Sequence, residues 1–222
     1  MTVHDRNSPR ANAVVSRLVA LAILSSISAA ACTSGPPPPV DNRPYADELA
    51  AARTAKDQML RTDPQSPIPA DKRTTFNGLA YFDIRPEYRV SASLKAQRGG
   101  PPIVIDMQFT NNGSEKMVRV GTLGFSLAGG QYTLTAFADP EDRAMARLFV
   151  PFGDLTNNKE TYGGGRYLDL TRTPTGYYEI DFNRAYHPNC VYDPTWVCPV
   201  PPRENRLDVA IPAGERLPAS YK

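Results

Sequence analysis

A mainly β fold, an antiparallel sandwich or flattened barrel with an N-terminal helix, is the architecture this sequence predicts. Three observations predict it. From Phe76 onward, apolar and polar residues alternate over short runs, the two-residue period of a half-buried strand. Turn signals rich in glycine, asparagine and proline separate those runs. Proline reaches 22 of 222 residues, about twice the usual ~5%, which suits loops and strand edges and opposes a helical bundle.

The chain opens on an address. Arg6, Arg10 and Arg17 precede an apolar run over residues 18–27 (LVALAILSSI), and small residues then lead to Cys32. The run is too short for a membrane span of roughly 20 apolar residues, and it fits an export signal. Small residues directly before a cysteine resemble the bacterial lipobox, with Ala29 standing where leucine is commoner. The expectation is a lipoprotein signal peptide over residues 1–31, with Cys32 lipidated by palmitate-type acyl chains. Two or three such chains anchor a protein where one does not. Simple secretion, with a free thiol at Cys32, is the alternative. Residues 32–41 contain TSGPPPPV and form a tether of polyproline II character. A single domain over residues 42–222 would then stand outside the cytoplasm, lipid-anchored to the cell membrane or the outer membrane.

Charge narrows the partners. The signal holds three arginines and one acid, Asp5, of the 25 basic and 23 acidic residues, so the remainder carries equal numbers of each. No basic field is left to bind nucleic acid by counterion release.

After the tether, residues 44–61 read as a helix. Asp41 or Asn42 can cap it, Pro44 suits its start, and Asp47 and Glu48 face the positive end of the dipole. Leu49, Ala52, Lys56, Met59 and Leu60 line one face, which would cover an end or edge of the β domain. Residues 88–94 read as a strand. Ile103, Ile105, Met107 and Phe109 form the inward face of the next, and Asn112-Gly113 supplies a hairpin turn. The return strand carries Val118 and Val120, then Leu123, Phe125 and Leu127 after a parity shift, with a bulge expected near Gly121. Gly129-Gly130 turns the chain into residues 131–137, completing an antiparallel meander. Asp139-Pro140-Glu141-Asp142 is expected to open a short helix, and residues 148–152 return to strand.

Residues 154–206 concentrate polar groups, glycines, aromatics and two cysteines. Tyr162-Gly163-Gly164-Gly165-Arg166 leads into the strand-like YLDL rather than a helix. A phosphate loop is therefore disfavoured against a tight turn or a close backbone approach. In residues 177–183, Tyr178, Ile180 and Phe182 face a core, while Glu179, Asp181 and Asn183 share the other side. Two neighbouring carboxylates can raise one another's pKa for acid–base work, or Asp181 can simply pair with Arg166, Arg184 or Arg206. His187, Cys190, Asp193 and Cys198 have the look of metal ligands. A C-x₇-C pair in an exported protein more often closes a disulfide, and Cys190–Cys198 is expected to do so, with no metal and no cofactor. No nucleophile–histidine motif stands out.

At these residues the chain resembles the bacterial family catalogued as domain of unknown function 1684. The resemblance is carried by PFGDLTNNKETYGGGRYLDL, DFNRAYHPNC and CPVPPRENRL, with support from SPIP, GLAYF, YRV, RVGTLGFSL and IPAGE. It implies a shared fold and a common polar centre without an assigned chemistry. His187 stands where members usually carry asparagine, which counts against a metal site built on imidazole. The resulting expectation is an envelope lipoprotein that binds a small polar ligand or an envelope protein. Arg166, Asp181, Asn183 and Asn205 would contact the ligand, with Tyr162 and Tyr186 as aromatic walls. The rivals are a hydrolase using Asp181 or Asp169 as general base with Arg166 as stabiliser, and a purely structural role in which the same groups form buried supports.

Overall fold

Helix α1 (Tyr45–Thr62) runs into a loop rich in proline and then the one-turn helix α2 (Ala70–Arg73). The strands follow in chain order as β1 (Arg89–Ala96), β2 (Ile103–Gln108), β3 (Ser114–Leu127), β4 (Gly130–Ala138), β5 (Arg147–Phe152), β6 (Arg166–Thr171) and β7 (Tyr177–Asp181). This computed structural model describes residues 44–96 and 99–218. The expected signal, tether, Cys32 and cap residues Asp41 and Asn42 lie outside the described residues. No helix among those described is long and apolar enough to cross a membrane.

Every strand pairing is antiparallel, in the order β6-β5-β4-β3-β1-β7, with β2 pairing β3 off this path. The two outer strands curl toward each other, and Tyr167 on β6 exchanges both backbone bonds with Tyr186, just beyond β7, at 2.8 and 3.1 Å. The result is a nearly closed barrel. Its axis is filled from alternating inward positions, among them Leu123, Leu134, Leu148, Val150 and Ile180, with Phe182 in tilted and edge contact with Phe125 and Phe152.

The predicted bulge is present, because the β3–β4 register shifts between Arg119 and Gly121. Five predictions need correction. Strand β2 does not alternate into the core: Ile103 is 43% exposed and only Met107 is buried, since β1 occupies the second half of β3 and leaves β2 beside the first half alone. At its hairpin only Asn112 is left-handed, not an Asn-Gly pair. The β3–β4 turn uses Ala128 and Gly129, one residue earlier than expected. The segment from Asp139 makes a turn rather than a helix, with the Asp139 carboxylate accepting Glu141 N–H at 2.7 Å. On helix α1, Ala52 and Met59 stay exposed rather than lining the covered face.

What α1 does present to the barrel is a mixed stripe at helical spacing. Leu49 and Leu60 are buried, each contributing roughly 1.5–3 kcal/mol. Between and beyond them, Tyr45 donates to Asp181 (2.9 Å), Arg53 to the Phe82 carbonyl (3.2 Å) and Lys56 to Glu215 (2.6 Å). The helix therefore docks through polar side chains as much as through apolar burial.

Candidate functional site

Four of the six residues expected to hold a ligand are spent on the chain itself. Asn205 is 0% exposed and sits on a short turn (Arg203–Asn205) wedged where β4 and β5 splay apart, paired only at Phe137↔Phe149. Its carboxamide accepts Thr135 N–H at 2.7 Å and donates to the carbonyls of Thr135 and Pro151 at 2.8 and 2.7 Å. Asn183, 1% exposed, repeats the device, accepting Arg85 N–H at 2.9 Å and donating to the Arg85 carbonyl at 2.8 Å. Each asparagine thus imitates a strand and satisfies a peptide that no strand reaches.

Arg166 opens β6 and is 0% exposed. It pairs with buried Asp154 at 2.9 Å and donates to the carbonyls of Ile211 (2.7 Å), Ala213 and Glu215 (3.2 Å). Burial pulls its pKa down, and Asp154 opposes that shift. Asp154 in turn accepts from Thr156 and from Ile211 N–H. Gly165 precedes Arg166 at φ +93, and any Cβ there would lie 2.5 Å from the Phe152 carbonyl oxygen. The glycine run is therefore the close backbone approach that the sequence suggests, not a phosphate cradle.

Asp181 ends β7, caps the turn Phe182–Arg184 by accepting Asn183 N–H, and takes Tyr45 and Arg184 as partners. Of the arginines weighed for it, Arg184 is the one it meets. Glu179 pairs separately with Arg89 at 2.7 Å. Asp169 accepts the Tyr186 hydroxyl at 2.8 Å. The hydrolase arrangement of Asp181 or Asp169 beside a reachable Arg166 is not assembled.

Cys190 and Cys198 do meet, though as free thiols rather than a disulfide, with Cys190 N–H donating to Cys198 Sγ at 3.0 Å. Burial, reinforced by Cys190, pushes the Cys198 thiol up to about 12. Asp193 accepts Thr195 N–H at 2.9 Å.

A different set of residues borders open space. The segment after Gly214 runs between three clefts, and three parts of the chain pin it. Glu215 N–H donates to Ala185, Arg216 N–H to Ala80 and Leu217 N–H to Glu160, at 2.8–3.0 Å. Gly214 permits the approach at φ +81, where a Cβ would fall 2.6 Å from the carbonyl oxygens of Ala185 and Phe182. Arg166 holds the same segment from inside. The Glu215 side chain, 2% exposed, gathers Lys56 on Oε1, and His187 N–H (2.8 Å) and the Tyr192 hydroxyl (3.0 Å) on Oε2. Burial drives the Tyr192 hydroxyl well above its ordinary range, and Glu215 adds to the rise.

The His187 ring lies beside this carboxylate, Nδ1 at 3.7 Å, while Nε2 accepts Tyr162 N–H at 3.3 Å. That acceptor role places the ring proton on Nδ1. Burial, then Arg166 and Lys56, lower its pKa to about 3, so the imidazole stays neutral, with Nε2 engaged by the Tyr162 N–H. It is poorly placed to shuttle a proton.

Glu215, His187 and Tyr192 converge on a cavity of about 250 Å³ whose other walls include Ile68, Phe76, Leu79, Val191 and Leu217, with Lys72 also lining it. A second cleft, about 200 Å³, lies under α1 on the other side of Glu215 and includes Tyr186. A third, about 660 Å³, is walled by residues 158–164, including Tyr162, and by residues 216–218. Tyr162 and Tyr186 thus do line clefts. Sequence reasoning missed Lys56, Tyr192 and Glu215 as a group, and set His187 aside with the metal reading. The one available signal was the glutamate of IPAGE, quoted for the resemblance but not weighed as chemistry.

This chain belongs to the family described as "Protein of unknown function (DUF1684)", which matches residues 74–216. It is similar to an uncharacterised protein of Haloarcula marismortui solved by NMR, at 39% identity and a TM-score of 0.59, over 77% of this chain and 92% of that one. No curated protein matches the chain.

Proposed function

We propose that the protein is a cell-envelope lipoprotein that binds a small ligand with an apolar body and a hydrogen-bonding head, in the cavity bordered by Glu215, His187 and Tyr192. One observation carries the reading: three convergent polar side chains, two with displaced pKa values, border a cavity whose remaining lining is mainly apolar apart from Lys72 and Arg216. That combination characterises small-molecule sites. Binding is favoured over acid–base catalysis because burial keeps His187 neutral and its Nε2 already accepts the Tyr162 N–H. A small-molecule thermal-shift screen tests it, since a ligand of the native state raises the melting temperature by mass action. Hits should lose their effect in Leu79→Trp, which fills the cavity. If every stabilising compound acts equally on that variant, the site lies elsewhere.

Envelope anchoring rests on Cys32 and the residues before it. Cys32→Ser should release the protein from the membrane fraction, and unchanged retention would remove the lipid anchor from the reading. In an oxidising envelope the adjacent thiols of Cys190 and Cys198 would close the expected disulfide. Thiol titration of the exported protein counts them.

A further inference from the structure

Under α1 the second cleft is lined by three cations, Arg53, Lys56 and Arg184, against one carboxylate, Glu215. Two of the cations are answered: Lys56 takes Glu215 at 2.6 Å, and Arg184 takes Asp181 and Glu48. Arg53 is not. Among the described residues no carboxylate lies within ion-pair distance of it, and its terminal nitrogens reach only the carbonyls of Phe82 (3.2 Å) and Asn183 (3.5 Å). Its Nε is buried without a partner. The guanidinium lies 4.2 Å above the Tyr81 ring, and the Tyr81 hydroxyl is the other buried, unpartnered polar atom of this cleft.

Two buried donors without acceptors, beside a half-buried charge with no carboxylate in ion-pair contact, ask for a physical explanation. Water could accept from either donor but brings no negative charge. A small oxyanion supplies both, and a planar guanidinium suits its geometry.

We propose that this cleft of about 200 Å³ is an anion subsite that takes a carboxylate or phosphate group between Arg53, the Tyr81 hydroxyl and Lys56. The observations are independent of the apolar cavity across Glu215, so the two sites stand or fall separately.

The test titrates the full chain in detergent with sodium phosphate and, in a second arm, sodium acetate, replacing chloride at constant ionic strength. Melting temperature is the readout. A saturable rise is expected in at least one arm, and the stronger arm identifies the oxyanion. Tyr81→Phe should weaken the apparent affinity about tenfold, the loss of one hydrogen bond to a charged group. Its anion-free melting temperature should not fall, because the hydroxyl has no partner to lose. Arg53→Gln should abolish the response, and if that variant fails to fold, Tyr81→Phe decides alone. Leu79→Trp should leave the response in place. A rise absent from both arms, unchanged in Tyr81→Phe, or lost in Leu79→Trp overturns the proposal.

Discussion

Arg166, Asn183 and Asn205 on one side, and Lys56, His187, Tyr192 and Glu215 on the other, are two polar groups with opposite orientation, the first wholly buried and the second with Lys56 and Tyr192 partly exposed. The first group is turned toward peptide bonds. Asn205 closes on Thr135, Asn183 on Arg85, and Arg166 on three alternate carbonyls of the C-terminal segment, Ile211, Ala213 and Glu215. Their capacity is used by the fold. The second group gathers on Glu215, which takes the Lys56 and Tyr192 side chains beside one backbone N–H and lines each of two clefts. The difference teaches that a dense run of polar residues marks where a barrel's backbone lacks partners before it marks a ligand site. The groups are also linked, because Arg166 holds by its backbone the segment that carries Glu215.

The largest effect should come from the inner group. Arg166→Met leaves Asp154 buried without its cation, and breaking a buried pair this way costs about 3–5 kcal/mol, read as a lower urea midpoint. A loss under about 1 kcal/mol would break the contrast, since a surface position costs no more than that. Asn205→Ala strands the Thr135 peptide and the Pro151 carbonyl, and should cost about 2–3 kcal/mol. Asn205→Asp should cost about as much, having lost both donors, which separates clamping from mere side-chain volume.

The outer group should show itself through pH. His187 is held at about 3 in the fold against about 6.5 when unfolded. Between those values the unfolded chain takes a proton that the native one refuses. The contribution is therefore complete above about pH 6.5 and declines as pH falls toward 3, by up to about 1.4 kcal/mol per unit. Denaturation at pH 6.5 and pH 5 should give a slope that His187→Asn flattens, and an unchanged slope would mean the ring is already protonated in the fold. The smallest effect is Tyr192→Phe. Removing one of the Glu215 donors should cost about 1 kcal/mol in stability yet abolish the response to ligands found by the screen. Equal loss in both would move Tyr192 into the inner group.

Much of the barrel was legible beforehand. The alternation in β3 and β7, the bulge near Gly121 and the core placement of Tyr178, Ile180 and Phe182 follow from period and turn chemistry, which are local. Strand β2 was misread because whether an alternating strand has a second layer above it depends on where β1 pairs. The site was misread for a related reason. Asp154 and Arg166, or Asn205 and Thr135, advertise the same chemistry whether they meet water or a peptide, and only their distant partners decide between these.

By itself the sequence determined the strands, the helix, the bulge near Gly121 and the family, because each rests on side-chain period, backbone sterics or contiguous motif. The tertiary structure decided which polar groups are supports and which border space. Glu215 meets Lys56 across 159 positions and His187 across 28, and no local rule brings such residues together. Closure of the barrel does, by folding the last segment back along α1 and leaving a cleft on each side of one buried carboxylate.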